Sequence, residues 1–230
     1  MHAPRRELTV PKDSRPYLDP YLRAADKFGP GFDALLWQSP KAQKIRFRVI
    51  SKLLDTTGRT VADIGCGNAD LLRHLHDCNH APARYIGIDA VPKTLDHARE
   101  QIRAAGIDTA VFLDHDFVRE TDLAEQLVRD AGADTIIFCG SLNTLLEHEA
   151  QSILDRFWKA VARRENGALV FNFLSDRHDR ARTPANPPAV RFDPVNMVHW
   201  ALDRTPLVTF RHDYLGGHDA TICMKSAALP

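Results

Sequence analysis

The sequence predicts an α/β fold built on a doubly wound, mostly parallel sheet, and three observations predict it. Five short apolar runs end in acids, glycines or small polar residues at nearly even spacing. Helical patterns fill the gaps between them, the signature of βαβ units covered on both faces. The chain then changes character near its end, where two β-type runs flank a glycine pair.

Residues 1–36 are rich in proline and charge and read as an irregular or helical N-terminal cap, separate from a main domain over 37–230. Ser39-Pro40 is a helix start, with a hydroxyl to cap and a proline pre-set for the first turn, and the helix is expected to reach about Asp55. Thr60-Val61-Ala62-Asp63-Ile64 is the first strand, followed by Gly65-Cys66-Gly67-Asn68-Ala69-Asp70 and a helix opening Leu71-Leu72-Arg73-His74-Leu75. Tyr85-Ile86-Gly87-Ile88 ends in Asp89. The next helix spans Pro92 to Ala105, with Leu95, Ala98 and Ile102 on one face and Gly106 as its stop. Ala110-Val111-Phe112-Leu113 leads to Asp114-His115-Asp116, and Thr135-Ile136-Ile137-Phe138 to Cys139-Gly140-Ser141. The fifth run, Ala168 to Phe173, ends in Leu174-Ser175.

Residues 176–206 form an insertion with Pro184, Pro187, Pro188 and Pro194 around a basic loop (Arg177, Arg180, Arg182, Arg191), then a short helix near Val195–Leu202. An insertion of this length reads as a lid or substrate wall, or as a surface loop. Leu207–Tyr214 and His218–Met224 flank Leu215-Gly216-Gly217 as a hairpin closing one side of the sheet.

At 230 residues the chain suits one decorated domain. Thirty basic and thirty acidic side chains cancel, which removes the bulk charge expected of a binder of nucleic acid or anionic membrane. The four cysteines show no CxxC and no metal-ligand spacing, so a reducing cytoplasm is the expected setting. The N-terminus has no apolar signal core, and no run approaches a membrane span.

The turn after the first strand brings glycines to alternate positions at a helix N-terminus, a nucleotide-type site. A dinucleotide fingerprint needs a third glycine where Asp70 stands, and a carboxylate beside a pyrophosphate would repel it. The alternative pattern is Asp63-x-Gly65-x-Gly67-x-Ala69. It resembles motif I of class I S-adenosylmethionine-dependent methyltransferases, with Ala69 in place of the usual last glycine. The hairpin resembles the end of that family's Rossmann-like, seven-stranded sheet, whose last strand runs antiparallel. The segment Leu36-Trp37-Gln38-Ser39-Pro40 to Gln43-Lys44-Ile45-Arg46-Phe47 looks like the first helix of a bacterial subgroup without assigned substrates. Phe171–Ser175, and Arg211–Tyr214 with His218-Asp219, look like that subgroup's later strands. The resemblance covers roughly residues 34–226.

The resemblance implies S-adenosyl-L-methionine as cofactor, S-adenosyl-L-homocysteine as product, and a cofactor site at the strand ends. Gly65, Cys66 and Gly67 would line the methionine part. Asp63 would receive the ammonium, or else bond neighbouring loop N–H groups. Asp89, with Ala90 after it, would accept the ribose hydroxyls. Asp116 would hold the adenine amino group, with Phe117 covering the ring. Cys139 and Ser141 stand where the methyl group sits; Ser141 and Asn143 would orient a ligand or cap the next helix. That strand end lacks the Asn/Asp-Pro-Pro-aromatic sequence of amino methyltransferases acting on bases. Gln43 and Arg46 share a helix face and would reach the cofactor carboxylate or solvent.

His212, Tyr214 and His218 near the hairpin tip, and His199 in the insertion's helix, are candidate bases, each with a structural role as the alternative. No metal is expected: Asp114-His115-Asp116 alternates across a strand, and His74, His76 and His80 offer no identifiable third ligand. The expected acceptor is a small molecule, with no nucleic-acid or membrane partner, in a monomer or homodimer. The competing functions are an NAD-dependent oxidoreductase and a non-catalytic cofactor-binding scaffold.

Overall fold

A computed structural model describes residues 14–179 and 187–227. Its centre is a seven-stranded sheet in the order β3-β2-β1-β4-β5-β7-β6. The strands are β1 Thr60–Ile64, β2 Arg84–Asp89, β3 Ala110–Asp114, β4 Thr135–Phe138, β5 Ala168–Leu174, β6 Val208–Arg211 and β7 Asp219–Lys225. The first five pair in parallel. β7 alone runs against the rest, pairing antiparallel with β5 on one side and β6 on the other. The chain order reverses direction across the sheet between β1 and β4, which opens a crevice at the carboxyl ends of those strands.

The helices are α1 Asp19–Phe28, α2 Pro40–Leu53, α3 Asp70–Asp77, α4 Pro92–Ala104, α5 Leu123–Glu125, α6 Glu147–Val161 and α7 Pro194–Leu202. One apolar core under α6 and α7 includes Phe138, Phe157, Phe171 and Trp200. A second, on the opposite face under α2, α3 and α4, includes Ile50, Leu72, Tyr85 and Leu95. β1, β4 and β5 are buried almost throughout because helices cover both faces.

Several expectations shift by local chemistry. The Ser39 hydroxyl caps α2 through the Ala42 N–H at 3.1 Å, as its sequence indicates, but the helix stops at Leu53. α3 ends at Asp77, which leaves His80 beyond the helix, its N–H closing on the Leu75 carbonyl. The hairpin's first arm is shorter than Leu207–Tyr214, because Arg211 folds onto Asp213 and a 3-10 turn over Leu215–Gly217 follows. Ahead of α2, α1 and a 3-10 turn over Phe32–Leu35 pack in a small cluster of Leu18, Ala25 and Ala34 with Val91 from the start of α4. Arg180, Arg182 and Pro184 of the insertion lie outside the described residues. Its return is stitched back to the sheet: Phe192 N–H donates to the Leu174 carbonyl and Val190 N–H to that of Asn143. Among the described residues, no helix is long and apolar enough to cross a membrane.

Candidate functional site

The crevice at the ends of β1, β2 and β4 holds a cavity of about 900 Å3, its open mouth included. The β1–α3 turn forms its floor. Gly65 has φ +75° and sits so close to the β4 end that a Cβ there would lie 2.4 Å from Ser141 Cβ. Only glycine satisfies both demands. The N–H groups of Gly65 and Cys66 both donate to the Ile88 carbonyl, which locks the turn against β2. Ala69, the residue that departs from the glycine pattern, takes φ +56° itself, so the turn keeps its left-handed exit at the cost of some strain.

Four carboxylates face the cavity: Asp63, Asp70, Asp89 and Asp116. Asp63 is 2% exposed; one oxygen accepts the Tyr85 hydroxyl at 2.5 Å, and the other, Oδ1, is buried with no partner among the described residues. Burial, opposed by the tyrosine and reinforced by Asp89, pushes its carboxyl up to about 7. Asp89 accepts Gly67 N–H at 2.8 Å and Val91 N–H at 2.9 Å, one on each oxygen. Burial raises its carboxyl against the pull of those N–H groups. Asp70 accepts Gln43 Nε2 at 2.9 Å and also pairs with Arg73, which fixes Gln43 at the rim. Asp116 is more committed. Its Oδ1 caps the following turn through Val118 N–H, and its Oδ2 takes the Tyr17 hydroxyl at 2.7 Å. Phe117 beside it packs edge-on against Phe138, ring centres 5.6 Å apart.

The β4 end supplies the opposite wall with Cys139, Gly140, Ser141 and Thr144. Gly140 N–H is held by Asn172 Oδ1 at 2.7 Å, and its bare Cα lets the Trp37 ring approach so closely that a Cβ would clash. The Ser141 hydroxyl and the Asn143 side-chain oxygen are buried without partners among the described residues. The roof is α1 and the chain before it, through Tyr17, Leu18 and Tyr21. Tyr21 bonds Thr144, and burial beside Asp89 pushes its phenol up to about 12. These roof residues were absent from the sequence-derived site. Their signal was present, since Tyr17 and Tyr21 lie one helical turn apart in a segment read mainly for its prolines.

The sequence-derived cofactor residues therefore gather on one cavity, with one exception. Arg46 does not line it. Its side chain is 3% exposed, its Nε and Nη2 donate to Asp219 at 2.5 and 2.8 Å, and its guanidinium lies 4.8 Å over the Trp37 ring. The four candidate bases also lie off the cavity. His212 Nε2 is 3.0 Å from the Gly217 carbonyl oxygen; the Tyr214 hydroxyl pairs with Thr221 at 2.6 Å. His218 bridges Asp219 and Arg191, and His199 is exposed on α7. Among the described residues, no group of three histidine, cysteine or acidic side chains is placed to hold a metal ion.

Comparison with known proteins gives a match to one family model and a set of similar folds. Residues 62–169 match a family model described as a methyltransferase domain. Comparison with the curated proteins gives no match. A SAM-dependent methyltransferase from Aquifex aeolicus is similar in structure at 16% identity and TM-score 0.60, over 82% of this chain and 94% of that one. DhpI in complex with SAH is similar at 14% identity and TM-score 0.63, over 92% and 96%. The small RNA methyltransferase HEN1 is similar at 14% identity and TM-score 0.64, over 84% of this chain but 26% of that one. At these identities the likeness is one of fold.

Proposed function

From the premise that this chain carries a methyltransferase domain of the class I fold, we propose that it transfers a methyl group from S-adenosylmethionine to a small-molecule acceptor by in-line displacement. One observation carries the choice of cofactor. The described cavity lining holds four carboxylates and no lysine, arginine or histidine. A ligand bearing a sulfonium and an ammonium suits that field, whereas the pyrophosphate of a dinucleotide would be repelled by it.

The geometry supports a role for each residue. Asp63 Oδ1, buried and unpartnered, takes the ammonium. Asp89 keeps a free lone pair on each oxygen after binding the two N–H groups, which suits two ribose hydroxyls. Gly65, Cys66, Gly67 and Ala90 give the backbone surface the ligand lies on, and Gln43 at the rim reaches the carboxylate end. Asp116 and Phe117 flank the adenine, with the Tyr17 hydroxyl sharing Asp116. Cys139 and Ser141 bound the space at the methyl group. Bound there, the cofactor supplies an electrophilic methyl carbon; the chain aligns the acceptor with it and keeps water out, α1 forming the roof.

A formal charge of zero supports a small molecule over RNA as acceptor. All four cysteines are free thiols, three of them buried, which suits a reducing cytoplasm. Calorimetry with S-adenosylhomocysteine and with NADH tests the reading. Binding of the former and not the latter is expected; the reverse would establish the oxidoreductase reading, and binding of neither would leave the fold a scaffold without this cofactor.

A further inference from the structure

The cavity's charge is confined to one side. Its four carboxylates come from the ends of β1 and β2, the first residue of α3 and the turn after β3. The residues that line it at the end of β4, Cys139, Gly140, Ser141, Thr144 and Leu145, carry no charge. An apolar strap reaches this uncharged half from the segment before α2. A Cβ on Gly67 would lie 2.7 Å from Leu35 Cδ2, and one on Gly140 would lie 2.5 Å from Trp37 Cη2. Leu35 to Trp37 therefore crosses from the β1–α3 turn to the end of β4, and both side chains line the cavity.

A second observation is how firmly the indole is held. The Arg46 guanidinium lies 4.8 Å from its ring centre and is itself pinned by Asp219 at 2.5 and 2.8 Å. Phe47 meets the indole edge to face, ring centres 6.4 Å apart. The backbone it rests on is fixed as well, since Gly140 N–H donates to Asn172 Oδ1 at 2.7 Å. Trp37 is nonetheless only half-buried, and what it leaves uncovered belongs to the cavity. A ring fixed in this way is a preformed wall that loses little freedom when a ligand lies on it. The same half is a poor place for an ion. A cation there meets the sulfonium of the bound cofactor, an anion meets the four carboxylates, and either loses its water against Leu35 and Trp37.

We propose that the acceptor is an uncharged aromatic compound whose ring lies against the Trp37 indole, and that Trp37 is the residue that selects it. This rests on the methyltransferase reading above and names the substrate class for that site. Ring-on-ring contact supplies the recognition, by offset or edge-to-face packing on a wall already in place. The reacting atom is a hydroxyl oxygen or amino nitrogen borne by the ring. Its lone pair forms the bond to the methyl carbon, the carbon–sulfur bond breaks with its pair left on sulfur, and the proton it loses passes to a cavity carboxylate.

The test incubates the full chain with methyl-labelled S-adenosylmethionine and a bacterial small-metabolite extract, divided at pH 7 into cationic, anionic and uncharged pools. Label is expected in the uncharged pool, on a compound with an aromatic ring. Label confined to either charged pool, label on an uncharged compound without such a ring, or no label in a chain that binds S-adenosylhomocysteine, would each overturn the inference. Failure to bind S-adenosylhomocysteine would instead strike the methyltransferase reading itself. With the labelled acceptor in hand, Trp37→Leu is expected to raise its KM at least about tenfold, and Trp37→Phe, which keeps a ring, by about threefold or less. Both should bind S-adenosylhomocysteine within about threefold of the parent, which also reports that they are folded. A KM unmoved in Trp37→Leu, or one that rises only in step with lost S-adenosylhomocysteine binding, would remove Trp37 from the acceptor site. If Trp37→Leu does not fold, tryptophan fluorescence decides. The acceptor should change the emission of the parent and not that of Trp37→Phe, and an equal change in both would contradict the assignment.

Discussion

Asp63 and Asp89 do different work, although both are strand-end carboxylates. Asp89 is expected to carry the ribose, so Asp89→Ala should weaken S-adenosylhomocysteine binding at least about tenfold, the loss of charge-assisted hydrogen bonds; an unchanged affinity by calorimetry would remove it from the site. Asp63 carries the pH dependence. Its folded carboxyl is pushed up to about 7 from an ordinary 3.8. Between those values the native chain holds a proton that the unfolded chain has released. Its contribution to stability therefore falls as pH rises across that window and is level above it. Cofactor binding has the opposite slope, because an ammonium wants the ionised form. Affinity for S-adenosylhomocysteine should improve roughly tenfold from pH 6 to pH 8, and Asp63→Asn should flatten most of that slope. A wild-type affinity independent of pH would contradict the assignment. At this scale the sequence showed the acids at strand ends, because an apolar run that stops at a carboxylate is a local pattern. It could not show where Arg46 goes. Its partner Asp219 is 173 residues away, and an ion pair across that separation leaves no periodicity to read. Tyr17 reaching Asp116 across 99 residues is the same case.

Among the elements, the β1–α3 turn and α1 set the site. Gly65→Ala places a methyl 2.4 Å from Ser141 Cβ at a φ of +75°. The turn must then shift, and loss of measurable S-adenosylhomocysteine binding with a lowered Tm is expected. A variant that still binds normally would mean that the turn is not the cofactor's floor. α1 rests on its own small core and is latched to the body by Tyr17–Asp116, Tyr21–Thr144 and an exposed Lys93–Asp26 pair. Tyr17→Phe removes one latch. Stopped-flow binding should then show faster cofactor association and release, each by a few-fold, with the equilibrium little changed; unchanged rates would mean that α1 does not gate the cavity. The five parallel strands and the hairpin were readable because each alternates with a helical pattern or a glycine turn. α1 was not placed, since proline and charge dominate residues 1–36 and hide the short amphipathic turn that carries Tyr17 and Tyr21.

For the whole molecule, the sheet order sets one division of labour. β1 and β2 carry the acidic half of the crevice, while β4, β5 and β7 carry the half backed by Arg46, Asp219 and His218. Antiparallel β7 matters here, because it brings Asp219 to the same edge as the end of β5, opposite Leu174. Ligand linkage offers a test of the folded unit as a whole. S-adenosylhomocysteine at a hundredfold over its Kd should add about 2.7 kcal/mol of stability and raise Tm by roughly 5–10 °C. NADH at the same concentration should leave Tm unmoved; a larger rise with NADH would favour the dinucleotide reading. The most direct measurement is a crystal structure of the chain with S-adenosylhomocysteine bound. The ribose hydroxyls are expected on Asp89, the ammonium on Asp63 Oδ1 and the sulfur facing Ser141; a ligand lying elsewhere, or turned with its adenine over Gly65, would overturn these assignments.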